Sequence, residues 1–239
     1  LVLLAFRETH AWSAKSRSFV RRASVWSLVF VLMEALIGAA IVLLDLVAHN
    51  ASLRRAASGG LHLVNTFFLV GALTCAVFGS YAPSSSPPLR SPSRATAPGP
   101  SSLILMGALL LAPIGTSGAI AALGDTLFHS TSLAAGLAAD LSPTANVLLK
   151  LRALHPLFAI LCGFGIFVIA RRVKKSSPLS ARSAWIVQAL VLAQWAVGIA
   201  NMGLLAPIYI QLVHLVLADA LVVAMTWMGA SWSKGASTT

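Results

Sequence analysis

The sequence predicts an all-α protein, a polytopic transmembrane helical bundle with six complete spans. Two observations carry this expectation and a third orients it. The chain of 239 residues is 58% hydrophobic and only 10% charged, with a mean hydropathy of +0.87, too apolar for a water-soluble domain of ordinary composition. Six stretches approach the roughly 20 apolar residues that let a helix cross a hydrocarbon core of about 30 Å with every backbone amide satisfied internally. The basic residues gather in alternate connections between those stretches.

The opening Leu1 to Phe6 is apolar but too short to span, and it runs directly into Arg7 and Glu8. It has no initiator Met, no basic segment before it and no small-residue cleavage site after it. It therefore reads as the inner end of a preceding helix rather than as a signal peptide, and the chain as truncated at its N-terminus. Spans are expected at 24–46 and 61–80. Residues 82–101, rich in proline and serine with Arg90 and Arg94, cannot bury a core and read as a flexible linker. Further spans are expected at 102–123, 152–170, 184–206 and 209–230. The chain thus divides into a partial N-terminal half (1–81, the end of one helix plus two spans), the linker (82–101), a four-helix C-terminal half (102–231) and a tail (232–239).

A net charge of +11 raises nucleic acid as a partner, and the distribution of charge decides against it. Arg7, Lys15, Arg17, Arg21 and Arg22, then Arg90 and Arg94, then Arg171, Arg172, Lys174, Lys175 and Arg182, and finally Lys234 lie on one side. They are thirteen of the seventeen basic residues. The other side keeps Arg54, Arg55, Lys150 and Arg152, with Asp125 and Asp140. The positive-inside rule puts the thirteen, and with them the linker and C-terminus, in the cytoplasm. The partner implied is a lipid bilayer, with no nucleic acid. Cys75 and Cys162 fall within apolar spans and read as small packing residues.

The two halves repeat. The run from His62, HLVNTFFLVGAL, aligns with the run from His214, HLVLADALVVAM, and Glu34-Ala-Leu-Ile-Gly38 aligns with Gln194-Trp-Ala-Val-Gly198. Two helices in the same order and orientation on each side of a linker indicate a parallel duplication. If each half began as four helices, the complete protein is an eight-helix pair of four-helix halves, with two helices upstream of Leu1.

His62, His155 and His214 each lie within one or two turns of the outward end of a separate span. A single membrane histidine is ordinarily a hydrogen-bonded packing residue. Three at one depth, two of them on repeated sequence, point to a site. Imidazole ligates haem iron, and His155 and His214 form a pair that can clamp a porphyrin within one half. Arg152, one turn before His155, can meet a haem propionate or serve as an interfacial anchor. Zinc is a weaker alternative, because no compact set of further ligands accompanies the histidines. Glu34 and Asp219 are membrane carboxylates suited to hydrogen bonding between helices or to proton movement. His10, His49 and His129 lie in connections and receive no role.

In the segments Glu34 to Leu44, Leu61 to Leu73, Gly115 to Phe128, Leu151 to Ala159 and Gln194 to Ala220, the chain resembles the haem A synthase family. That resemblance implies eight helices in two halves, each offering two histidines to a haem. It assigns haem b as a cofactor of His155 and His214, and His62 as one ligand of the substrate, haem O. It also implies oxidation of a haem O methyl to the formyl of haem A in a bacterial plasma membrane, with a haem O synthase as supplier and an electron donor that the residues do not name. A homo-oligomer is compatible with it.

The family's fourth histidine and its catalytic glutamate belong to an upstream helix outside this chain, which alone is then incomplete as a catalyst. The outer-loop cysteine pair of many members is missing, and His155-Pro156 stands where many have His-Arg. Two other functions draw on the same residues. One is a di-haem b-type cytochrome passing electrons from quinol. The other is a transporter, suggested by the duplication and Glu34, and it ranks last because transporter sites favour the bilayer midplane.

Overall fold

The computed structural model describes residues 14–80, 100–176 and 178–235. The Leu1–Phe6 stub, Arg7, His10, Arg90, Arg94, nearly all of the linker and the last residues of the tail lie outside them. The described chain is helical throughout: α1 Ala14–Leu43, α2 Leu53–Ser80, α3 Pro100–Leu127, α4 Leu133–Leu141, α5 Val147–Arg152, α6 Leu154–Ser176, α7 Pro178–Gly203 and α8 Ile208–Gly235. Among the described residues six spans are long and apolar enough to cross a membrane, with α5 and α6 together making one of them. The chain is an integral membrane protein with a polytopic helical bundle.

Most helices outrun the expected spans. α1 begins at Ala14 rather than 24, α2 at Leu53 rather than 61, and α6 continues to Ser176 rather than 170. Hydropathy marks only the segment in hydrocarbon. Arginine and lysine are good helix formers, so a helix continues through them into the interface. α3 and α7 start on Pro100 and Pro178, in the first turn where the missing amide costs no hydrogen bond. The linker thus yields its last two residues to α3. The short α4 was not expected. Ser132 caps it by accepting the Ala135 amide.

The expected span at 152–170 is broken near its start. α5 ends at Arg152 and α6 begins at Leu154, with Ala153 between them. Pro156 explains the position: it has no amide to offer the carbonyl four residues back, which is that of Arg152, and its ring crowds that carbonyl.

α3, α6, α7 and α8 form a closed ring in which each helix packs on the next, and α2 docks against α3 and α8 with α1 packed on its outer side. The tightest packing lies toward the basic ends of the helices. There Ile166, Ala170, Val187, Val191, Leu221 and Met228 are nearly or fully inaccessible, with Phe67 of α2 joining them. The histidines stand above this core.

α1 and α7 end alike. The amides of Leu44, Asp45 and Leu46 bond to the carbonyls of Ala40, Val42 and Ile41, and those of Leu204, Leu205 and Ala206 to Ala200, Met202 and Asn201. Asp45 and Leu205 both take positive φ, 56° and 61°. This is the six-to-one closure that satisfies terminal carbonyls with a left-handed residue. Its register is the one that aligns Glu34 with Gln194 and Gly38 with Gly198.

Candidate functional site

His155 sits in the first turn of α6, directly after the break that Pro156 imposes. Its Nδ1 lies 3.0 Å from Ser117 Oγ on α3. Ser117 has a single proton, and its hydroxyl faces the carbonyls of Pro113 at 2.7 Å and Ile114 at 3.1 Å. With its proton on a carbonyl, Ser117 Oγ is the acceptor for His155 Nδ1–H, the tautomer that leaves the lone pair of the ring at Nε2. Gly118 makes room for the ring, because a Cβ there would lie 3.1 Å from His155 Cε1.

His214 enters from α8, and its ring faces that of His155 with centroids 6.4 Å apart and planes at 88°. Gly198 of α7 passes beside it, 3.4 Å from Cε1 when a Cβ is built. Gln194 donates from Nε2 to the His214 carbonyl at 3.1 Å, tying α7 to α8. One residue on, Trp195 donates to the Ala159 carbonyl at 3.0 Å and ties α7 to α6. Among the described residues His214 Nδ1 is buried without a hydrogen-bond partner, an unusual state for an imidazole nitrogen.

The separation of the two rings is that of imidazoles sharing one metal ion. Two metal–nitrogen bonds of about 2 Å each, plus the distance from nitrogen to ring centre on both sides, separate centroids by roughly 6 Å. A ligating histidine whose other nitrogen is held by a hydroxyl has its tautomer and orientation fixed in advance. Among the described residues no three His, Cys, Asp or Glu side chains come together to hold an ion, so the zinc alternative finds no ligand set.

His62 on α2 is less enclosed, with its side chain 41% exposed, and its Nδ1 is turned inward to 3.6 Å from Glu34 Oε2 on α1. Glu34 is held by Asn65 Nδ2 and Thr66 Oγ1, both from α2. The hydrogen-bonding role expected for Glu34 is the one it takes. Gly60 packs closely on Thr116, one residue from Ser117. The turn before His62 is thereby level with the partner of His155.

Arg152 is held by two carboxylates. Its guanidinium donates to Asp125 Oδ1 at 2.8 Å and to Asp140 Oδ1 at 2.5 Å, and its side chain is only 12% exposed. It joins α5 to α3 and α4, and Gly124 lets its stem lie close, 3.4 Å from a built Cβ. A propionate would have to displace a carboxylate already present. Sequence reading took Asp125 and Asp140 as charges of one side of the membrane and missed the cluster. It also missed Ser117 and Gly118, which stand one helical turn and less from the quoted Gly115 without any motif of their own.

Asp219 Oδ1 is buried without a partner among the described residues. Cys75 and Cys162 are free and partly buried. An apolar groove of about 530 Å³ between α1, α2, α3 and α8 lies on the basic side of His62, lined by Trp26, Phe30, Phe67, Phe68 and Met225 among others.

The model of a family described as cytochrome oxidase assembly protein (COX15-CtaA) matches residues 1–226. Proteins named protoheme IX farnesyltransferase from two strains of Thermus thermophilus are each 35% identical over 209 residues, covering 86% of this chain and 33% of their own length. The chain spans about a third of the curated relatives it matches. No solved structure matches it.

Proposed function

The chain belongs to the cytochrome oxidase assembly protein family, and on that premise we propose that it serves haem A synthesis, oxidising a haem O methyl group to the formyl of haem A with haem b as resident cofactor. The observation that carries the reading is the pair His155 and His214, with Ser117 Oγ 3.0 Å from His155 Nδ1. When bound, haem supplies the redox and oxygen chemistry; ligation, orientation and exclusion of water fall to the protein.

In this reading His155 Nε2 and His214 hold haem b in the C-terminal four-helix half, and His62 offers its ring to substrate haem in the N-terminal half. Ser117 keeps the proton of His155 away from the ligating nitrogen. Gly118 and Gly198 set how closely α3 and α7 approach the two rings. Arg152, neutralised by Asp125 and Asp140, fixes the break above His155 and acts on haem only through it. The name of the Thermus thermophilus relatives supports a haem substrate received from a farnesyl-transferring enzyme. The basic ends of the helices, by charge, face the cytoplasm.

The test is to express the full-length gene in membranes supplied with haem O and to identify the extracted haems by mass. Haem A and a hydroxylated precursor are expected. Recovery of unmodified haem O alone, from folded and haem-loaded protein, would overturn the enzymatic reading and leave electron transfer between b-type centres.

A further inference from the structure

We propose that Glu34 is a positioning residue for His62, setting a carboxylate behind its Nδ1 and giving a haem held by His62 a more strongly donating ligand than the repeated site at His214 provides. The inference rests on the reading of His62 as a haem ligand and deepens it.

Glu34 Oε2 stands 3.6 Å from His62 Nδ1, which is buried although the ring is 41% exposed, so the accessible part of the ring lies away from Glu34. The nitrogen facing the carboxylate is the one placed to donate toward it, and the opposite nitrogen is the one placed for a metal. Asn65 secures the carboxylate by dividing its two amide protons between Glu34 and the Phe30 carbonyl, the latter at 2.9 Å. Thr66 reaches the second carboxylate oxygen. Glu34 is therefore held from α2 while it faces a histidine of α2.

The other half carries the control within the same chain. Glu34 is matched by Gln194, Asn65 by Leu217 and Thr66 by Ala218. Gln194 turns its amide nitrogen to the His214 carbonyl; neither His62 Nδ1 nor His214 Nδ1 has a hydrogen-bond partner among the described residues, and the difference is the carboxylate 3.6 Å from His62 Nδ1. Gly198 touches His214, whereas Gly38 has nothing within 4 Å. The charge and both groups that hold it occur together on one side and are replaced together on the other. A carboxylate facing the non-ligating nitrogen of an imidazole makes the ring a stronger donor, which stabilises the oxidised metal and lowers the reduction potential.

The experiment loads the purified protein with haemin and compares wild type, His62→Ala and Glu34→Gln by redox titration and by the iron–imidazole stretch of the ferrous form. The component lost in His62→Ala identifies the His62 haem. In Glu34→Gln that component is expected to shift to higher potential and lower stretching frequency, with the His155–His214 component unmoved. A His62 component insensitive to Glu34→Gln overturns this inference and leaves the ligand assignment standing. Absence of any component lost in His62→Ala overturns both. Should Glu34→Gln not accumulate as folded protein, Gln194→Glu poses the question in reverse: a fall in the potential of the His214 haem supports the inference, and no movement overturns it.

Discussion

Ser117 Oγ lies 3.0 Å from Nδ1 of His155 and 2.7 Å from the Pro113 carbonyl. One hydroxyl on α3 thus engages one nitrogen of a histidine on α6 and leaves the other free to bind. Ser117→Ala removes this contact at a buried position where a methyl group fits. We expect the helical fold to persist and haem affinity to fall about 10- to 100-fold, the usual effect of losing such a supporting partner, as measured by haemin titration of the purified protein.

The facing pair makes a sharper demand. His155→Ala and His214→Ala should each abolish the low-spin b-type absorption of the C-terminal half, and His62→Ala should leave it in place. An unchanged spectrum in both of the first two variants would reject the pair as ligands.

The two glycines beside the rings are expected to differ. A Cβ at position 118 falls 3.1 Å from His155, closer than ordinary contact, while one at 198 falls 3.4 Å from His214, an ordinary contact. Alanine in place of glycine favours a helix by about 1 kcal/mol, so neither variant should lose helix content. Gly118→Ala should shift the His155 ring and weaken haem binding by about 1 kcal/mol, and Gly198→Ala should change binding little. Equal effects in a side-by-side titration would show that the rings are not held at these distances.

The Arg152 cluster concerns stability more than chemistry. Removing one partner of a fully buried ion pair costs about 3–5 kcal/mol, and less where the groups are partly buried, as these are. Arg152→Ala leaves two carboxylates without their cation, so a fall in thermal unfolding temperature in detergent is expected. Asp125→Asn should cost less, because Asp140 still meets the guanidinium. If Arg152→Ala unfolds like wild type but loses haem, the propionate role is restored.

Much of the fold was legible along the chain. Spanning stretches, proline starts and the matched runs at Glu34 and Gln194 depend on residues within one segment, and the shared termination of α1 and α7 follows the same register. Pro156 was also in plain view, and both its place in the first turn of α6 and the break at Arg152 follow from its missing amide. The helix at Leu133–Leu141 carried a capping Ser132 but no span-length apolar run to draw notice.

The chain's composition and periodic apolar runs determined by themselves that this is a membrane bundle with three histidines near one level. Only the tertiary structure decided that His155 meets Ser117 and His214, that His62 turns to Glu34, and that Arg152 is shared by two aspartates. The reason is rotational. Each residue advances a helix by about 100°, and a helix apolar on every face shows no polar stripe to say which way it turns. Contacts between small residues such as Gly60, Gly118 and Gly198 set that rotation, and they exist only once neighbouring helices are in place.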